Sequence, residues 1–227
     1  MLKELVSLFR SNNPLGSIAT RFSRMLALAC ENTRVAGEIF FELDATAEQR
    51  TKIYKKDIEI NKLQRAIRRR IVAHLSFAEN IPDVPYCLLM MSLVKDVERL
   101  GDYAKNITEV VEQHGGRLPQ GEILAEMREI RGEVEAAFDV APKVFESGDR
   151  SQALDLIHAG RLLAQRCDTL ITKIARSDVD AATATAAVLC TRYYKRIGGH
   201  VLNILSSVVM PLHKLDFYDE DDAPPKI

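Results

Sequence analysis

Tryptophan is absent from this chain of 227 residues, and glycine and proline are sparse, at 11 and 8 residues. Leucine, alanine, isoleucine, arginine and glutamate are abundant instead, a mixture that favours helix over sheet. We therefore expect no substantial β-strand. An apolar fraction of 47% supplies enough side chains for a buried core, which excludes the disordered and fibrous classes.

Cysteine is also scarce, and the cysteines are scattered, without a CxxC spacing or a clustered framework. They are Cys30, Cys87, Cys167 and Cys190. This distribution argues against a disulfide scaffold and predicts reduced, buried thiols in a cytosolic protein.

The chain has no long hydrophobic run and almost no net charge. No stretch reaches the roughly 18 to 20 uncharged apolar residues that span a bilayer, and the segment MLKELVSLFR is too charged for a signal-peptide core. We expect a soluble, cytoplasmic protein without a transmembrane segment. The net charge of −1 provides no overall attraction to nucleic acid or to an anionic membrane, so any charge-driven partner must use a local patch.

Apolar side chains recur at steps of three and four residues in six long segments, which predicts six helices. The segments are 15–44, 46–79, 86–113, 119–147, 149–176 and 179–209. Thr46 and Gln49 form a capping box at the start of the second helix. Two prolines in AENIPDVP separate the second helix from the third, and HGGRLPQG marks the best domain boundary.

The two halves are related by an internal repeat. VERLGDYAKNI at 97–107 aligns without gaps on YKRIGGHVLNI at 194–204, and the two share Arg, Gly, Asn and Ile. We therefore predict an all-α protein of two tandem antiparallel three-helix bundles, residues 1–114 and 115–213. An acidic, disordered tail is predicted at 214–227.

The most informative segment is KDVERLGDYAKNITE at 95–109, which is rich in side-chain oxygen atoms. These belong to Asp96, Glu98, Asp102 and Asn106. Glu98 and Asp102 are four residues apart on one helix face, so their carboxylates repel each other unless a cation or an arginine lies between them.

The second helix offers matching oxygen atoms in KDIEIN, where Asp57 and Asn61 are also four residues apart. Antiparallel packing would bring this pair opposite Glu98 and Asp102, as in carboxylate metal sites of helical bundles. Carboxylate oxygen suits Fe, Mn, Mg and Zn ions. The opposing interpretation is a solvated acidic stripe paired with Lys55, Lys56, Arg99 and Lys105.

At ERLGDYAKNITE the sequence resembles the PhoU family signature, in which an acidic residue, Arg, an aliphatic residue, Gly and Asp precede Asn-Ile on a third helix. The length, the six helices and the duplication fit as well, so the resemblance covers essentially the entire chain. It implies two three-helix bundles whose E/DxxxD motifs bind metal clusters, commonly of iron or zinc. By position, Glu98 and Asp102 match the third-helix motif, and Asp57 and Asn61 match the second-helix motif, with Asn in place of the expected acid.

The resemblance also implies a non-enzymatic regulatory adaptor. Such a protein contacts a phosphate transporter, of the ABC type or a sodium-coupled carrier, and a membrane sensor histidine kinase, and it damps the phosphate-starvation response. These contacts would hold it at the inner face of the membrane. The sequence leaves open whether the protein is a homodimer.

The second half departs from the motif. Lys195 stands at the position of Glu98 and Gly199 at that of Asp102, so we expect no family-type metal cluster there. His158 and His200 are interpreted as polar groups at helix surfaces, with another site as the alternative. The half that lost the acids is a candidate surface for partners.

A basic cluster on the second helix comprises Lys62, Arg65, Arg68, Arg69, Arg70 and His74. It forms a positive stripe that is either a solvated helix face or a surface for phosphate or an acidic protein. DNA binding is the weaker interpretation, because the net charge is slightly negative and no helix-turn-helix or aromatic stacking pattern accompanies the cluster. The alternative function for the whole chain is a carboxylate-bundle metalloprotein, either a storage protein or a di-metal enzyme. An enzyme of that kind is disfavoured because Gly101, and not His, follows Glu98 by three residues.

Overall fold

The structure is a computed structural model that describes residues 14–42, 46–114 and 117–216. Within these ranges the chain forms six long helices and no strand, which confirms the predicted all-α fold. The helices are α1 (Pro14–Glu42), α2 (Ala47–Leu75), α3 (Val84–His114), α4 (Glu122–Ser147), α5 (Arg150–Ala175) and α6 (Ala181–Val209). Short 3-10 helices, Ala78–Asp83 and Leu212–Lys214, follow α2 and α6.

Side-chain caps fix several helix starts at the predicted positions. The capping box of α2 is confirmed: Gln49 N–H donates to Thr46 Oγ1 at 3.1 Å, and Thr46 N–H donates to Gln49 Oε1 at 2.9 Å. The side chains of Asp149 and Asp180 accept backbone N–H groups at the starts of α5 and α6, without the reciprocal bond of a capping box. Gly148 ends α4 in the left-handed conformation, at φ 69°, with its N–H bonded to Val144 O at 2.9 Å.

The predicted end of α2 at residue 79 is wrong, because the helix stops at Leu75. The hydroxyl of Ser76 donates to Val72 O at 2.8 Å, and the amide of Asn80 donates to His74 O at 2.7 Å. These side chains take over carbonyls that the next helical turn would otherwise bond. Phe77 is extended, and the 3-10 helix then leads into α3.

One continuous apolar core runs through both halves of the chain. Phe22 of α1 packs against Phe145 of α4 with ring centroids 5.1 Å apart, and Phe41 packs against Tyr194 of α6 at 6.4 Å. Helices α3 and α6 also lie against each other. The two bundles therefore bury apolar surface against each other. The predicted boundary between them, at residues 114 and 115, lies in the connection between α3 and α4.

Three predicted features fall partly or wholly outside the described residues: the stop of α1 at Asp44, the segment 1–10, and the tail beyond residue 216. Leu215 is buried, so the described chain still packs on the core just past the 3-10 helix. None of the described helices is both long enough and apolar enough to cross a membrane.

Candidate functional site

The predicted site residues lie where α2 and α3 pack against each other. Gly101 of α3 allows a close approach, since a Cβ atom there would lie 3.1 Å from Ile60 Cδ1 and 3.6 Å from Asp57 Oδ1. Asp57 is buried on α2, while Glu98 and Asp102 are partly buried on α3. The structure thus brings the two acidic motifs to one place on the first bundle.

Cationic side chains separate the carboxylates in this acidic cluster of Asp57, Glu98 and Asp102. Lys105 Nζ lies 3.8 Å from Asp57 Oδ2 and 3.6 Å from Asp102 Oδ1. Arg99 donates to Asp102 Oδ2 at 3.1 Å, and its Nε is 3.9 Å from Glu98 Oε2. Two of the four cations in the solvated-stripe interpretation, Arg99 and Lys105, therefore do pair with these acids.

The carboxyl groups influence one another electrostatically. Burial raises the pKa of Asp57, and the nearby Asp102 raises it further while Lys105 lowers it. Burial likewise raises the pKa of Glu98, with Asp102 and Asp57 adding to the rise and Arg99 and Arg68 opposing it. The site therefore holds three carboxylates in a partly desolvated place, where burial and mutual repulsion disfavour their ionised forms.

The carboxylate and amide oxygen atoms of the cluster suit a hard or borderline metal cation, and one of these oxygens is buried without a hydrogen-bond partner. Asp57 Oδ1 is buried without a hydrogen-bond partner, whereas Asp57 Oδ2 accepts from Asn61 Nδ2 at 3.3 Å. In the arrangement described, no three His, Cys, Asp or Glu side chains within the described ranges converge in metal-binding geometry. A metal ion would have to displace Lys105, so metal binding by Asp57, Asn61, Glu98 and Asp102 stays a prediction.

In the second bundle a lysine, Lys195, stands at the position that Glu98 has in the first bundle. The Nζ of Lys195 donates to the two carboxylate oxygens of Asp168 on α5 at 2.6 Å and 2.5 Å. At Gly199, which corresponds to Asp102, an added Cβ atom would meet nothing within 4 Å. A single ammonium–carboxylate pair thus stands where the first bundle holds three carboxylates.

A second polar cluster joins the two halves, and sequence reasoning missed it. His200 Nδ1 of α6 pairs with Asp96 Oδ1 of α3 at 2.8 Å, and Asn203 Nδ2 donates to the same oxygen at 2.9 Å. The interpretation of His200 as a group at a helix surface is therefore wrong, because its ring also stacks on Tyr103 with centroids 5.7 Å apart. His158, by contrast, is exposed as expected.

The internal repeat accounts for this interface cluster. With the 97-residue offset of the aligned segments, His200 corresponds to Tyr103, and Tyr193 corresponds to Asp96. The contact of Asp96 with His200 is then the symmetry mate of the contact between Tyr103 and Tyr193, whose ring centroids are 5.8 Å apart. The offset shows that the two contacts are equivalent once one of them is known, but the sequence alone carries no signal that Asp96 and His200 meet.

The second bundle contains an apolar cavity of about 260 Å³ between α4, α5 and α6. Val140, Leu156 and Leu202 are among its lining residues, and Glu133 lies at its edge. Gly160 contributes to the lining and packs closely on Leu202. Such a cavity fits an apolar side chain rather than a charged ligand.

Fold and site together define a six-helix, two-bundle protein with an acidic, cation-bridged cluster between its second and third helices. Residues 22–111, which contain that cluster, match the family model described as PhoU domain. The chain is 23% identical over 194 residues to the phosphate-specific transport system accessory protein PhoU homolog 1 of Thermotoga maritima. This alignment covers 82% of each of the two chains. The first half of this chain therefore matches a PhoU domain, and the predicted resemblance to the PhoU family is confirmed.

Solved structures show the same fold. The crystal structure of PhoU from Pseudomonas aeruginosa superposes with a TM-score of 0.79 at 20% identity, over 89% of this chain and 98% of that one. The phosphate transport system regulatory protein PhoU from Streptococcus pneumoniae gives a TM-score of 0.75 at 19% identity, over 86% and 92%. Both comparisons confirm the predicted architecture of PhoU-like helical bundles.

Proposed function

We propose that this protein is a non-enzymatic regulatory adaptor of phosphate transport and of phosphate-starvation signalling. The observation that carries the proposal is the alignment with the Thermotoga maritima accessory protein, which extends over 82% of both chains and spans both bundles. Its partners are a phosphate transporter, of the ABC or the sodium-coupled type, and a sensor histidine kinase. The protein acts in the cytoplasm and reaches the membrane through these partners.

The state of the cysteines supports a role without nucleophilic catalysis. All four are free and buried. Burial raises the pKa of Cys30 and of Cys167 to about 12 and that of Cys87 to about 11, and it raises the pKa of Cys190 well above its usual value. At neutral pH these thiols are protonated, and the thiol form is a poor nucleophile.

We further propose that the acidic cluster binds a metal ion, of Fe, Zn, Mn or Mg, as part of regulation. Glu98, Asp102 and Asp57 would supply carboxylate oxygens and Asn61 an amide oxygen, and the ion would neutralise carboxylates whose pKa values are raised by burial and by one another. In the structure Lys105 is the cation that lies between Asp57 and Asp102. Exchange of Lys105 for a metal ion would change the charge of the α2–α3 surface without unfolding the bundle.

The metalloprotein alternative, storage protein or di-metal enzyme, rests on the same carboxylates. It would require several more acids or a histidine on the facing helices, and α3 carries Gly101 where a di-iron bundle carries a metal-binding histidine. No contact described above favours it over the adaptor.

Deletion of the gene, followed by alkaline-phosphatase measurement in high phosphate, tests the signalling part of the proposal. We expect the deletion strain to express the phosphatase despite abundant phosphate and the wild-type gene to restore repression. Repression that is unchanged by the deletion would refute the adaptor role.

The metal proposal has its own test, in which purified protein is loaded with each candidate ion, dialysed and assayed for bound metal. Glu98→Gln with Asp102→Asn should abolish binding. The matched control is Glu129→Gln with Glu133→Gln on α4, where two glutamates one turn apart bind Arg166. Equal metal content in the two double variants, or none in the wild type, would contradict the metal site and leave the adaptor role standing.

A further inference from the structure

The C-terminal part of α2 is unusually basic for a chain that is nearly neutral overall. Residues 60–78 contain no aspartate or glutamate. The same stretch holds Lys62, Arg65, Arg68, Arg69 and Arg70. A net charge of −1 does not prevent a local positive field, because interactions between exposed charges more than about 10 Å apart are largely screened at moderate salt.

Four of these five cations are exposed to solvent in the structure. Lys62, Arg65, Arg69 and Arg70 are exposed, and none of them forms an ion pair with a described residue. Arg68 is half-buried, and its charge lowers the pKa of Glu98 in the acidic cluster. Four cations are thus available to an external partner.

Exposed apolar side chains flank three of these cations at helical spacing. Ile58, Lys62, Arg65, Arg69 and Val72 follow one another at steps of three and four residues, which places them in one stripe on the side of α2 opposite the core. We call this the outer stripe of α2. Ile58 is 51% exposed and Val72 is 63% exposed, so both ends of the stripe are hydrophobic.

The segment after α2 also carries exposed apolar side chains. Phe77 is 60% exposed, and Ile81 on the adjoining 3-10 helix is 66% exposed. At the start of α3, Leu88 is 51% exposed. Large apolar side chains that stay this exposed beside unpaired cations mark an interaction surface rather than an ordinary solvated helix face.

We propose that the outer stripe of α2, together with Phe77 and Ile81, docks directly on the surface of an anionic phospholipid bilayer. The arginines and the lysine contact lipid phosphates, while the apolar side chains enter the interfacial layer. This binding does not depend on the adaptor role, since it requires no transporter or kinase.

A bilayer explains the arrangement better than an acidic protein segment does. The cations are spread along the convex face of a helix over about 10 Å between Lys62 and Arg69, at 1.5 Å per residue, and they do not converge on one point. A plane of phosphates can meet every one of them at once. Phe77 and Ile81 are exposed in the segment that follows α2, and a membrane interface can take up such large apolar side chains whereas a charged peptide cannot.

Co-sedimentation with vesicles tests the proposal. Full-length protein should bind vesicles of phosphatidylcholine mixed with phosphatidylglycerol, and binding should weaken with added salt and be much weaker on phosphatidylcholine alone. Arg65→Gln with Arg69→Gln should reduce the partition coefficient about 25-fold, because each neutralised charge accounts for about fivefold.

A matched control is available on α6, where Arg192 and Arg196 are also one turn apart, exposed and without an ion pair among the described residues. Arg192→Gln with Arg196→Gln should leave binding within about twofold of the wild type. Equal losses in the two double variants would show that only net charge matters and would overturn the proposal.

The apolar contribution has a separate test. Phe77→Ser with Ile81→Ser should lower binding severalfold without changing its salt dependence, whereas Leu154→Ser with Leu162→Ser, an exposed pair on α5, should not lower it. Unchanged thermal midpoints would show that all four double variants fold. Failure of the wild type to bind anionic vesicles at low salt, or retention of vesicle binding by the Arg65 and Arg69 variant while it loses an acidic protein partner, would refute lipid docking.

Discussion

Asp57→Asn should stabilise the protein at neutral pH, although it removes a member of the candidate site. The substitution is nearly isosteric and loses no hydrogen bond. The amide oxygen can still accept from Asn61, which donates to Asp57 Oδ2 at 3.3 Å, and the amide nitrogen replaces an oxygen atom that has no partner. The principal change is the loss of one buried negative charge.

The magnitude follows from how well that charge is compensated. The side chain of Asp57 is only 10% exposed, and its nearest cation, Lys105 Nζ, is 3.8 Å away and shared with Asp102. The effective cost of burying an ion is several kcal/mol, and partial pairing with Lys105 offsets most of it, which leaves a gain of about 1 kcal/mol for the neutral amide. For a chain of this size that is a rise in Tm of about 2 to 4 °C.

The pH dependence gives the prediction its sign. Because the folded-state pKa of Asp57 is raised, the native protein binds this proton more tightly than the unfolded chain does. Stability is therefore lost as pH rises from the unfolded-state pKa through the folded-state pKa. Asp57→Asn should show its full gain at pH 7 and almost none near pH 3.5.

Thermal denaturation followed by circular dichroism at both pH values measures this effect. Asp155→Asn, at an exposed aspartate on α5, is the matched control and should change the free energy of unfolding by less than about 0.5 kcal/mol. A loss of 1 kcal/mol or more for Asp57→Asn at pH 7 would mean that pairing with Lys105 outweighs burial, and it would refute the reasoning.

Other substitutions test the packing and the interface. Gly132→Ala should stabilise the protein by about 0.5 to 1 kcal/mol through helix propensity, because nothing lies within 4 Å of the added Cβ atom. Gly101→Ala should lose that gain, because its Cβ atom would meet the close contact between α2 and α3. Urea denaturation that gives both variants the same gain would contradict this contact. A double-mutant cycle of Asp96→Asn and His200→Gln should give a coupling free energy of about 1 to 2 kcal/mol, and additive effects would argue against the bridge between the bundles. Thr46→Ala should cost about 1 kcal/mol in the same denaturation assay by removing the cap of α2, and an unchanged midpoint would show that the capping box does not stabilise the helix.

The helices were predictable because each buries one stripe of a 3.6-residue period, and that signal lies within a few turns of the sequence. The end of α2 was not, since it depends on the side chain of Asn80 reaching back to His74 O from outside the helix. A periodic pattern does not reveal such a competition between local hydrogen bonds.

The candidate site was predictable in part for a similar reason. Glu98 and Asp102 share a helix face by spacing alone, and a short connection brings α2 onto α3. The partner of each acid was not predictable, because Lys105 reaches both Asp57 and Asp102 only through a particular side-chain conformation. The pairing of Asp96 with His200 spans 104 residues and depends on how the two bundles pack together.

The central claim is that this protein regulates phosphate transport, and the rate of phosphate uptake tests it most directly. Uptake of labelled phosphate should be measured in high-phosphate medium in the wild type, in a deletion strain and in the complemented strain. The account predicts that uptake in the deletion strain escapes repression and rises, and that complementation restores the wild-type rate. Identical uptake rates in all three strains would contradict it.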